Sequence, residues 1–74
     1  MTTTYQDGVV IKSGQGDVYG AVVQTATDMF ILNQITVGLE FDSGQFFPGQ
    51  KVRIYFEGTN QDDQPKIKSV GSLS

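Results

Sequence analysis

The chain contains neither cysteine nor histidine. Without cysteine there is no disulfide framework and no thiolate metal site, and nothing indicates a redox compartment. Without histidine the commonest metal ligand and the usual general base near neutral pH are both missing. Positive charge is also scarce. Five Lys and Arg face eight Asp and Glu, for a net charge of −3 and a pI near 4.4. That balance opposes generic polyanion binding, which draws mainly on cations. No apolar run approaches the roughly 18 residues of a membrane-spanning helix. The first residues show no basic segment followed by an apolar one, so no secretory signal is visible and a cytoplasmic location is the expectation.

What remains is a short chain with a patterned apolar content. Seventy-four residues make one domain at most. A chain of this size buries only about 60–65% of the surface exposed when unfolded, so its stability is expected to be marginal. Hydrophobic residues make up 38%, enough for one small core, and their even spread argues against disorder.

The clearest pattern is at 51–57, where Val52, Ile54 and Phe56 alternate with Lys51, Arg53, Tyr55 and Glu57. Alternate side chains of a strand point to opposite faces, so this is a half-buried strand with a basic, aromatic outer surface. A hairpin joins it to a strand at 66–70. Pairing Phe56 with Ile67 would set Glu57 opposite Lys66, Tyr55 opposite Lys68 and Arg53 opposite Val70.

Upstream, Val9–Ile11 reads as a first strand, 18–24 as a second and Met29–Leu32 as a third. Gly20 within the second predicts a bulge or sharp bend. Residues 13–17 and 25–28 are turns. A fourth strand is predicted at 35–41, where Ile35, Val37, Leu39 and Phe41 alternate with polar residues and glycine. Pro48-Gly49 marks a tight turn before residue 51. Residues 1–7 and 71–74 are expected to be loose. No segment carries a helix of ordinary length.

The expected fold is all-β: a small single-domain antiparallel barrel of five or six strands, spanning 1–74. Its predicted core is Val9, Ile11, Val22, Ile31, Ile35, Val37, Leu39, Phe41, Val52, Ile54, Phe56 and Ile67. Pro48-Gly49 followed by Val52 and Ile54 resembles the entry into a late strand of many OB-fold and SH3-like barrels. The resemblance covers roughly residues 18–70 and rests on a generic motif. It implies an OB-like or SH3-like barrel. An OB fold often carries a helix between its third and fourth strands, for which residues 42–50 leave little room.

Two surfaces are candidates for function. Lys51, Arg53, Tyr55, Lys66 and Lys68 combine cations with an aromatic, the pattern that holds single-stranded DNA or RNA. The plainer reading is a solvated strand face with Glu57 and Lys66 as an ion pair. Phe46 and Phe47, with Tyr5 and Tyr19 as additions, offer an aromatic patch for a protein interface. The plainer reading has Phe46 plugging one end of the barrel and Phe47 packing on Pro48. Asp62-Asp63 and Gly14-Gln15-Gly16 read as turns and not as a cation or phosphate site.

Catalysis has little support. Nucleophile activation without His or Cys would fall to lysine or a carboxylate, and the acids are scattered. The expected function is therefore a non-catalytic protein-interaction module, able to self-associate, with no cofactor, metal or membrane partner. The alternative is an oligonucleotide-binding barrel using the basic face.

Overall fold

The apolar segments, separated by turns rich in glycine, asparagine and aspartate, become five strands in a computed structural model that describes residues 3–15, 19–59 and 65–73. They are β1 (Thr3–Lys12), β2 (Ala21–Thr25), β3 (Met29–Leu32), β4 (Lys51–Thr59) and β5 (Pro65–Ser72), with one 3-10 turn at Ser43–Gln45. The strands form one sheet in the order β3-β2-β1-β4-β5, and every neighbouring pair is antiparallel. β4 returns beside β1 after the long connection 33–50, which is a Greek-key arrangement. The sheet curls into a half-barrel, so the expected small all-β domain is what forms.

β1 is the central strand. Residues 3–7, expected to be loose, pair along β4 from Thr3 opposite Glu57 to Asp7 opposite Arg53. The other edge of β1 pairs with β2 from Gly8 opposite Thr25 onward. Thr4 and Gln6 stand opposite buried Phe56 and Ile54, and Gln6 Oε1 accepts from Thr25 Oγ1 at 2.9 Å, so a polar residue on this side is satisfied by a hydrogen bond. The C-terminal end is likewise ordered. β5 runs to Ser72, and Leu73 N donates to Lys51 O at 2.8 Å.

The core consists of Val10, Ala21, Val23, Leu32, Val52, Ile54, Phe56 and Ile67. The four from β4 and β5 match expectation. Those from β1–β3 are each displaced by one residue, because Val10, Val23 and Leu32 point inward where Val9, Ile11, Val22 and Ile31 were predicted. A shift of one position exchanges the two faces of a strand, and uninterrupted apolar runs carry no polar residue to mark the parity. Two irregularities contribute. β1 bulges between Val10 and Lys12, which pair with the consecutive residues Val23 and Val22. β5 bulges beside Phe56, so that Phe56 pairs with Ile67 as expected, but Tyr55 faces Ser69, Ile54 faces Val70 and Arg53 faces Gly71.

The strand predicted at 35–41 does not form. Asn33 redirects the chain: its Oδ1 accepts from Ile35 N at 2.8 Å and Thr36 N at 2.9 Å, and Val37 N donates to Asn33 O at 2.9 Å. An Asx side chain that captures the next amides offers the backbone an alternative to a sheet ladder. Of the predicted core residues there, Val37 and Phe41 pack against the core edge, while Ile35 and Leu39 are exposed at 94% and 84%.

Pro48-Gly49 forms the expected turn. Gln50 N donates to Phe47 O at 3.2 Å, and Gly49 adopts φ 92°, the left-handed conformation that glycine takes at the third position of a type II turn. Gly20, expected inside a strand, instead precedes β2 at φ 110°, where a Cβ would lie 2.3 Å from Leu32 O. Its freedom and its lack of a side chain are both required there.

These assignments separate two substitutions that the sequence pattern treats alike. Ile54→Ala should cost about 2–5 kcal/mol, enough to unfold much of a marginal domain. Leu39→Ala should stay within about 0.5 kcal/mol of wild type. Urea denaturation followed by circular dichroism measures both, and a comparable loss at Leu39 would contradict its exposed position.

Candidate functional site

The outer face of the sheet has two halves of different chemistry. The first lies across the start of β1 and the middle of β4. The alternation of β4 puts Lys51, Arg53, Tyr55 and Glu57 on this face, opposite buried Val52, Ile54 and Phe56. β1 brings Tyr5 directly opposite Tyr55 and Asp7 directly opposite Arg53. Arg53 Nε donates to Asp7 Oδ1 at 2.7 Å and its Nη2 donates to Oδ2 at 3.1 Å, a bidentate pair. The guanidinium also lies 4.2 Å from the centroid of the Tyr5 ring. The rings of Tyr5 and Tyr55 are tilted at 57° with centroids 6.3 Å apart.

The predicted basic, aromatic face is thus present but largely neutralised. Arg53 is engaged by Asp7, and Lys68 Nζ lies 3.1 Å from Glu57 Oε2. Lys66, at the start of β5, lines one cleft with Glu57 and Lys68 and a second beside β3. Two of the four predicted cations are thus engaged by carboxylates, which interrupts a continuous cationic track. Tyr5 and Asp7 complete this half of the face. Their spacing in Tyr5-x-Asp7, matched against Arg53-x-Tyr55 in reverse, is the signal by which an antiparallel pairing could have been found.

The second half lies across the end of β1, β2 and β3. Val9, Ile11, Met29 and Ile31 project outward and are 39–60% exposed, with Val22 half-buried among them. Val22 pairs with Ile31, and Val9 with Gln24, so the group spans three adjacent strands. Four of these five side chains were assigned to the core by sequence, and their position outside makes an apolar surface that sequence reasoning missed.

The aromatic pair divides. Phe46 packs against the core and stacks on Phe41 with centroids 5.3 Å apart, while Phe47 is half exposed. Phe46 is thus turned toward the core, and Phe47 is the more exposed of the two. Tyr19 is exposed, but its carbonyl accepts from Asn33 Nδ2 at 2.6 Å across the connection to β2.

The third feature is the open side of the half-barrel. β3 and β5 end the sheet, and a cleft of about 570 Å³ lies between them. Met29, Phe30 and Ile31 line one side, and Pro65, Lys66 and Ile67 the other. Ile35 and Thr36 stand at its margin.

Among the described residues, no group of three or more acidic side chains could hold a metal ion. No helix among them is long and apolar enough to cross a membrane. Asp62 and Asp63, like Gly16, lie outside the described residues. No protein-family model, curated protein or solved structure matches this chain.

The ion pair has a pH signature. The hydrogen bond from Arg53 holds the Asp7 carboxyl below its ordinary range, against a smaller opposing effect of desolvation, with Coulomb attraction to Arg53 adding to the lowering. The same hydrogen bond, opposed by desolvation and aided by Tyr55, raises the guanidinium further from any accessible titration. Because the folded pKa of Asp7 is depressed, its contribution is fully present above the unfolded value of about 3.9 and is lost as pH falls through the folded one. Asp7→Asn should therefore flatten the decline in melting temperature below about pH 4 relative to wild type. Both partners are partly exposed, so high salt should narrow the difference. Parallel pH profiles for the two proteins would exclude a stabilising role for this pair.

Proposed function

We propose that this chain is a non-catalytic protein-interaction module whose binding surface is the apolar half of the outer sheet face, and that its occupant is a second copy of the same chain. The observation that carries this reading is the exposure of Val9 and Ile11 on β1 and of Met29 and Ile31 on β3, with half-buried Val22 of β2 between them. Contiguous apolar side chains on a small soluble domain mark interaction surfaces more often than isolated ones do. The electrostatics favour self-association over an oppositely charged partner. Arg53 with Asp7 and Lys68 with Glu57 cancel charge on the same face. Lys12 opposite Val22 and Lys51 opposite Val9 border the apolar group, so two acidic chains would meet through a part of the surface that carries positive rather than negative charge. A two-fold arrangement sets the same patch against itself. Only half of the face is apolar, so the association is weak and concentration-dependent.

The oligonucleotide reading has one observation in its favour. A five-stranded, partly open Greek-key sheet is the architecture of OB-type barrels, many of which bind oligonucleotides on their β2–β3 face. Here that face carries Val22, Met29 and Ile31 in place of cations and aromatics, which favours the protein partner. Lys51, Arg53, Tyr55 and Lys68 remain the residues such binding would use.

Sedimentation velocity over a wide concentration range tests both readings in one design. The wild-type sedimentation coefficient should rise with concentration, and Ile11→Lys or Ile31→Lys should hold the protein monomeric without lowering its melting temperature by more than a few degrees. A wild-type chain that stays monomeric at millimolar concentration would remove the self-association reading. Salt-sensitive binding of labelled single-stranded DNA or RNA, lost in Arg53→Ala, would install the alternative in its place.

A further inference from the structure

The two edge strands of the sheet run in the same direction. Four successive antiparallel pairings join five strands, so β3 and β5 are parallel to one another across the open side. Direct closure would require a parallel pair within an otherwise antiparallel sheet. A single extended segment placed between them, by contrast, can run antiparallel to both. Residues 37–41 already lie beside Lys68–Val70, so such a segment would pair with β3 and with the start of β5 at Pro65–Ile67, covering both edges there.

We infer that the cleft between β3 and β5 receives an extended, acidic-apolar peptide segment of a partner protein as a sixth strand. This cleft meets the outer face at Met29 and Ile31, which belong to both, whereas Val9 and Ile11 lie outside it, and the inference does not depend on self-association. The chemistry of the two edges sets the character of the occupant. β3 offers Met29–Leu32 with neither charge nor proline, the features by which natural edges usually resist pairing. Thr36 Oγ1 donates to Ile31 O at 2.7 Å, so a loop hydroxyl serves a β3 carbonyl where a neighbouring strand would otherwise supply an amide. β5 is guarded by Pro65, which has no N–H, and by Lys66, which is exposed. These features disfavour indiscriminate pairing and favour a segment with an acid opposite Lys66.

The cleft also divides the side chains of the occupant. Phe30 and Ile67 face the core, so inward positions of the added strand meet apolar surface. Met29, Ile31 and Lys66 lie on the outward side, so the alternate positions meet apolar surface at one edge and a cation at the other. An occupant with apolar residues at every second position and a carboxylate between them satisfies both sides.

Selection of a displayed library of random linear dodecapeptides against the immobilised full chain tests this inference. Enriched peptides should show apolar residues at a period of two with Asp or Glu between them. A synthetic copy of the strongest binder should protect amides of Met29, Ile31 and Ile67 from hydrogen exchange. Lys66→Glu should weaken that peptide by about tenfold, as an attractive cross-strand pair becomes a repulsive one. Val9→Lys, which alters the outer face alone, should leave its affinity unchanged. Absence of enrichment would overturn the inference, as would binders without the alternation or with a footprint at Val9, Ile11 and Val22. Concentration-dependent protection of the β3 and β5 amides without peptide would overturn it too, since the occupant would then be another copy of the chain.

Discussion

The rest of the structure depends on the double pairing of β1. This strand meets β2 along its second half and β4 from Thr3 to Val9. No other strand is joined to both hairpins, so the β2–β3 and β4–β5 units share one core only through it. Its register fixes which residues of both neighbours face inward. Val10 opposite Val23 places the β2 side chains, and Gly8 opposite Val52 places those of β4. The turn at 47–50 locks the same strand from a third direction, with Val10 N donating to Gln50 O and Gly49 N donating to Val10 O. A small domain with few buried side chains gains its single arrangement from such shared constraints more than from the size of its core.

The legibility of the sequence follows from this geometry. In β4, polar residues separate Val52, Ile54 and Phe56, so the pattern itself states which face is buried. The apolar runs Val9–Ile11, Ala21–Val23 and Met29–Leu32 contain no such marker. Both parities then fit local preference, and the choice falls to a register set by distant partners. The alternation at 35–41 misleads for the opposite reason. Its pattern is that of a strand, but Asn33 takes the amides of Ile35 and Thr36 before a ladder can form. A side chain two residues upstream therefore outweighs seven residues of good periodicity, and nothing in a two-residue repeat records that competition.

The same limits govern the candidate site. The outward direction of Arg53 and Tyr55 was readable from β4 alone. Their company was not, because Asp7 and Tyr5 are brought opposite only by the pairing of β1 with β4. A basic aromatic face in sequence thereby becomes a balanced one in structure. The five-residue cluster is divided further by the bulge in β5, which sets Ser69 rather than Lys68 opposite Tyr55. Four cations close in the pattern of two strands are thus not four cations on one track.

Neutralisation of that half of the sheet changes what the remaining surface means. Charges committed to cross-strand pairs stabilise the outer face against solvent but contribute little to the recognition of an anion, since a polyanion would have to displace Asp7 from a bidentate contact. The features left without an internal purpose are apolar side chains outside the core and backbone at the ends of an odd-numbered sheet. Both are more readily satisfied by polypeptide than by a polyanion, the first by a matching surface and the second by an added strand. The proposed protein partner therefore follows less from any one residue than from where this fold has already used its charge.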